Sequence, residues 1–163
     1  MNSKSIVSVL SVLLLMLSQQ VIAGEAFLKL KEKIKIAGCG SEVENNTGSL
    51  FFGGSKKFTA LSGSGDFYAG KYKYSSKNRL YKMTFDSSSK KLYANIMADW
   101  GEDLCDVNKA KVKNIKYKNF SLKLNKKKTN GKFKFSTSMK GQANGESASV
   151  KHTIGGKGPF NKP

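Results

Sequence analysis

Arginine and histidine are almost missing from this chain of 163 residues. Arg79 is the only arginine among 29 basic residues, and His152 is the only histidine. Without arginine the chain lacks the planar fork that grips phosphate or carboxylate bidentately, and lysine offers only a solvated point charge on a flexible stem. With one histidine, any histidine-based triad must centre on His152. Two cysteines, Cys39 and Cys105, and that histidine are too few soft ligands for a zinc-type centre. No Gly-x-Ser-x-Gly elbow occurs, and Gly53-Gly54-Ser55-Lys56-Lys57 lacks the spacing of a phosphate-binding P-loop. Repeats of solenoid length are absent as well. These absences argue against an enzyme and leave a binding protein with no cofactor as the expectation.

Long hydrophobic runs are scarce too. The one present, Ile6 to Leu17, follows Lys4 and precedes Val21-Ile22-Ala23, small residues suited to a signal peptidase. It is too short to span a bilayer, and nothing downstream is apolar enough to do so. Residues 1–23 therefore read as a cleaved export signal and 24–163 as a single domain, periplasmic or secreted. Outside the cytosol an isolated cysteine pair forms a disulfide, so Cys39 and Cys105 are expected to be joined. Ile36-Ala37-Gly38-Cys39 has the look of a lipobox. Lys29, Lys31, Lys33 and Lys35 separate it from the hydrophobic run, however, and acylation would strand Cys105.

Most of the remaining chain alternates with a period of two, the mark of half-buried strands. In Leu28 to Ile36 the apolar residues share one phase and the lysines the other. Gly40 to Gly54 reads as a polar loop around a short strand at Leu50 to Phe52. Strands follow at Lys57 to Leu61, Phe67 to Tyr74 and Leu80 to Phe85. Leu92, Ile96, Met97 and Trp100 then recur at helical spacing after Asp86 and three serines that serve as N-caps. This predicts one helix over about 90–100, with Gly101 as its C-cap. Strands resume from Val112, with a change of phase near Lys118-Asn119 that predicts a bulge or tight bend. Asn125 to Gly131 reads as a hairpin loop, and Lys132 to Lys140 and Ser147 to Ile154 as strands. A glycine-rich tail closes on Phe160. The whole predicts a mainly β domain: a single antiparallel barrel or sandwich of about eight strands in meander order, with one inserted helix and one disulfide. The meander favours the barrel.

Three groups of residues qualify as sites. Lys111, Lys113, Lys116, Lys118, Lys123, Lys126, Lys127, Lys128, Lys132 and Lys134 fall in a stretch without a single acid. On adjacent strands they would make a positive sheet surface able to track a polyanion with salt-sensitive affinity. Tyr68, Tyr72, Tyr74 and His152 share the inward phase and are candidates for a pocket inside a barrel. Asp99, Glu102, Asp103 and Asp106 crowd oxygens around Gly101, but their spacing is not that of a calcium loop, so no metal is expected there. The leading expectation is an exported binding protein whose lysine face engages an anionic partner: lipid headgroup, acidic polysaccharide, lipopolysaccharide or extracellular nucleic acid. The alternatives are a barrel that carries a small apolar ligand, and an inhibitor of a secreted enzyme acting through the loop Gly40 to Gly54.

Overall fold

The computed structural model describes residues 22–105, 112–143 and 146–162. The leader expected over 1–23 lies almost wholly outside them, as do Asp106 and Lys111. Eight strands run in chain order: β1 (Ile22–Ile36), β2 (Gly40–Gly53), β3 (Lys57–Ser62), β4 (Phe67–Ser75), β5 (Leu80–Phe85), β6 (Lys113–Leu124), β7 (Asn130–Ala143) and β8 (Glu146–Asn161). Each pairs antiparallel with the next, and β8 pairs back onto β1, closing a barrel. Among the described residues one helix, α1 (Ser87–Cys105), separates β5 from β6. The expected barrel, helix and Cys39–Cys105 disulfide are all present.

The alternation explains why these segments are strands. In β5, Tyr81, Met83 and Phe85 are buried while Lys82 and Thr84 are exposed. In β7, Phe133, Phe135 and Met139 face inward and Lys132, Lys134 and Lys140 outward. The phase change expected near Asn119 is a register shift between Lys118 and Ser121. Asn119 takes a left-handed conformation there, with φ of 53°, a backbone state that asparagine tolerates better than most residues. The bulge lets Tyr117 and Phe120, three residues apart, both point into the barrel.

Three boundaries differ from the sequence reading, each for a stateable reason. Gly40 to Gly54 is not a loop but the long strand β2, paired with β1 over its whole length. Its inward positions Glu44, Asn46 and Gly48 carry no apolar side chain, so the alternation cannot be seen, yet the ladder of backbone hydrogen bonds holds it extended. The inhibitor reading loses its loop with this correction. The helix is longer than expected: Asp86 accepts the Ser89 N–H at 2.8 Å and caps its start. At the far end the helix runs through buried Gly101 to Cys105, where the disulfide ties it to the turn after β1. The glycine-rich tail is likewise the second half of β8. Glycine is needed there because β8 lies tight on β1: a Cβ at Gly156 would sit 2.5 Å from the Lys29 carbonyl oxygen, and one at Gly158 would overlap that of Phe27.

The interior is divided lengthwise. At the end where β2 turns into β3, Phe52, Tyr72, Tyr81 and Phe160 form an aromatic plug, with Phe52 stacked on Tyr81 at 4.2 Å and edge-on to Tyr72 at 5.2 Å. At the opposite end α1 lies over the barrel and sends Tyr93 and Met97 inside.

Candidate functional site

Between the plug and the helix the lumen is hollow. A cavity of about 470 Å³ is walled by Phe85, Phe120, Phe133 and Phe135 from β5, β6 and β7, by Leu28 and Leu50, and by Tyr93, Ile96, Met97 and Trp100 from α1. Its mouth follows from strand lengths. β3 pairs only with Gly48 to Phe52 of β2, so Gly40 to Thr47 has no partner on that side. Glu44, Asn46 and Thr47 of this free half, facing Ser62, Ser64 and Asp66 of the β3–β4 turn, border the opening.

A hydrogen-bonded chain crosses one wall. His152, 1% exposed, sits between Glu32 and Tyr93. Its Nε2 lies 2.6 Å from Glu32 Oε1 and its Nδ1 2.7 Å from the Tyr93 hydroxyl. That hydroxyl is in turn 2.6 Å from Thr137 Oγ1. Burial raises the Glu32 pKa, but the hydrogen bond and charge of His152, together with Asn46, outweigh it and hold the carboxyl below its ordinary value. An ionised carboxylate only accepts, so Nε2 carries the proton it shares with Glu32. Burial, aided by nearby carboxylates, pushes the phenols of Tyr68 and Tyr93 well above their ordinary value, so both remain neutral hydroxyls. Each buried polar group of this hydrogen-bonded series has a partner, and Glu32 places its carboxylate beside the apolar and aromatic part of the cavity wall.

Glu32 has company. Glu44 lies directly opposite it across β1 and β2, and Asn46 Nδ2 donates to both, at 3.1 Å to Glu32 Oε2 and 3.2 Å to Glu44 Oε2. Among the described residues no lysine or arginine nitrogen comes within 4.0 Å of a carboxylate oxygen, and His152–Glu32 is the one ion pair.

Of the four pocket candidates from the sequence, Tyr68 and His152 line this cavity. Tyr72 and Tyr74 do not: Tyr72 belongs to the plug and donates its hydroxyl proton to the Gly53 carbonyl at 2.9 Å, and Tyr74 is exposed, its ring tilted against Tyr81 at the same end. The sequence reading missed Glu32, Glu44, Tyr93 and Thr137. Glu32 had a visible signal, because it occupies the apolar phase of β1, with Leu30 and Ile34, rather than the lysine phase. Asp99, Glu102 and Asp103 are all exposed on the last turns of α1. No metal-holding group of three or more acidic, histidine or cysteine side chains forms among the described residues.

Lys116, Lys118, Lys123, Lys126, Lys127, Lys128, Lys132 and Lys134 are exposed on the outside of the barrel. Lys123 of β6 is in register with Lys132 of β7, Lys132 with Lys157 of β8, and Lys157 with Lys29 of β1. Four strands thus carry an unbroken row of exposed lysines, where like charges side by side cost stability. Lys134, Lys116 and Lys118 extend the same face, and Lys113 pairs with Lys140 at its edge. Lys126, Lys127 and Lys128 occupy the exposed β6–β7 turn, which Asn125 braces by accepting the Thr129 N–H at 2.9 Å. That turn is at the plugged end, and the lysine row runs round β6, β7, β8 and β1 until Lys157 and Lys29 come beside Asn46 and Thr47 at the edge of the mouth. Compared with known proteins, the chain matches no family model, and no curated protein matches it.

Proposed function

We propose that this protein is a carrier, holding one small, largely apolar molecule in the barrel lumen between the aromatic plug and α1. The observation that carries the reading is the cavity itself. Its 470 Å³ falls within the range of about 300–1,000 Å³ usual for ligand sites. Side chains at native density would otherwise fill such a space, since empty volume in a core is destabilising. The disulfide supports an exported carrier, because such bonds persist in oxidising compartments. The neutral fluorophore N-phenyl-1-naphthylamine tests it. The oxidised protein is expected to bind it saturably at about one per chain, with a blue-shifted emission. Ala60→Trp, which projects an indole into the cavity, should abolish the signal while the far-ultraviolet spectrum is kept. A signal that never saturates, or that survives Ala60→Trp, would defeat the carrier.

One observation favours a second surface. The four-lysine row invites an anionic partner, polymer or envelope surface, because a bound polyanion would relieve the repulsion within it. Binding to dextran sulfate should weaken with salt at a log–log slope of about −3 if the row engages as a unit. The triple variant Lys123→Gln, Lys132→Gln, Lys157→Gln, which keeps only Lys29 of the row, should flatten that slope to about −0.7. A wild-type slope near zero would remove the lysine wall as a working surface.

A further inference from the structure

We infer that the molecule carried in the lumen is a cationic amphiphile: an apolar body with a positively charged nitrogen head seated at Glu32 and Glu44. This rests on the carrier reading and adds the sign of the ligand's charge. The cavity carries the argument, and the carboxylates decide only what fits it. In a chain with 29 basic and 11 acidic residues, the cavity is lined by three acids, Glu32, Glu44 and Asp66, and by no lysine or arginine. The cavity lining therefore carries the sign opposite to that of the chain as a whole. Lysine is the commonest charged residue available, yet none closes on either glutamate within 4.0 Å among the described residues.

The two glutamates are also placed at a cost. They face each other in register across β1 and β2, and like charges so placed destabilise a sheet. His152 relieves Glu32 from the buried side through Oε1, while the Oε2 atoms of both residues share only the neutral amide of Asn46. A single cation at the mouth would satisfy both carboxylates at once through charge-assisted hydrogen bonds. The two glutamates alone make a poor metal site, with too few ligands converging. An organic ammonium suits the place better, because the rings of Tyr68, Tyr93 and Trp100 line the same cavity, and aromatic rings attract such heads. The apolar body then extends toward Phe85, Phe120 and Phe135.

Chain-matched competitors against bound N-phenyl-1-naphthylamine test this: decylammonium, decanol and decanoate. The formal net charge of +18 favours decanoate everywhere else on the protein, so a preference for the ammonium can only come from the cavity. Decylammonium is expected to displace the probe at a concentration about tenfold below that of decanoate. Glu44→Gln should raise the decylammonium requirement about tenfold relative to decanol, and Glu32→Gln should do the same. Glu44→Gln leaves the His152 chain intact, so the test survives if Glu32→Gln misfolds. Displacement by decanoate at or below the decylammonium concentration, or an unchanged ammonium-to-decanol ratio in Glu44→Gln, overturns the cationic head and leaves the carrier standing. Failure of the probe to bind at all removes both.

Discussion

Reducing the Cys39–Cys105 disulfide is expected to cost about 4 kcal/mol of folding stability. The bond spans a separation of 66 residues, enclosing β2 to β5 and nearly all of α1. In the chain-entropy model a cross-link of that length removes enough freedom from the unfolded chain to account for that figure. The effect should reach the cavity as well. Cys105 is the last residue of α1, and Cys39 lies in the turn between β1 and β2, so the bond pins the helix over the open end of the barrel. Without it α1 is held by Tyr93 and Met97 and by the bonds from Tyr93 to Thr137 and His152. Urea unfolding with and without dithiothreitol measures the difference, and the thermal midpoint should fall by on the order of 10–15 °C. A shift of no more than a few degrees would mean that the barrel alone sets the stability.

Phe52→Ala is expected to be comparably damaging, at about 3–5 kcal/mol. Phe52 has no exposed surface and is gripped on several sides, by Tyr72 from β4, Tyr81 from β5 and Phe160 from β8. Truncation would leave a void in the plug that three rings from three strands cannot collapse to fill. Phe135→Ala makes the informative contrast. That ring borders a cavity already present, so part of its surroundings is empty before the mutation, and the loss should be smaller by about 1 kcal/mol or more. Denaturant midpoints at an unchanged m-value compare the two. Equal losses would indicate that the lumen is as tightly packed around Phe135 as around Phe52, against the hollow interior on which the carrier depends.

Legibility in the sequence followed the apolar phase. Leu80 to Phe85 and Lys132 to Lys140 declared themselves because one face meets aromatic neighbours and the other meets water, and hydrophobicity records that difference directly. The bulge at Asn119 was legible for the same reason, as a slip in the phase. Wherever the inner face looks onto a cavity or a mouth, the signal vanishes. Glu44, Asn46 and Gly48 of β2 point inward without being apolar, so a strand looked like a loop. Gly156 and Gly158 of β8 gave up side chains so that two strands could approach, so a strand looked like a tail. Gly101 looked like a stop because glycine usually ends helices, but here it is buried in the last turns of α1, four residues before the disulfide that anchors the helix.

By itself the sequence determined the architecture. Strand after strand of alternating residues in hairpin order, with one helical interval and two cysteines, leaves an antiparallel meander, barrel or sandwich, because alternation is a local property and each strand declares its own two faces. The lysine surface was equally determined, since an outward position needs no partner. What only the tertiary structure decided is the site. Glu32 and His152 are 120 residues apart, and Tyr93 and His152 are 59 apart. They meet because β8 returns to pair with β1 and α1 folds over the open end. The opening exists because β2 outruns β3, a difference of strand length that no residue announces. Register and closure are long-range quantities, set by which backbone amides find each other once the barrel has formed, and the cavity with its paired carboxylates is their product.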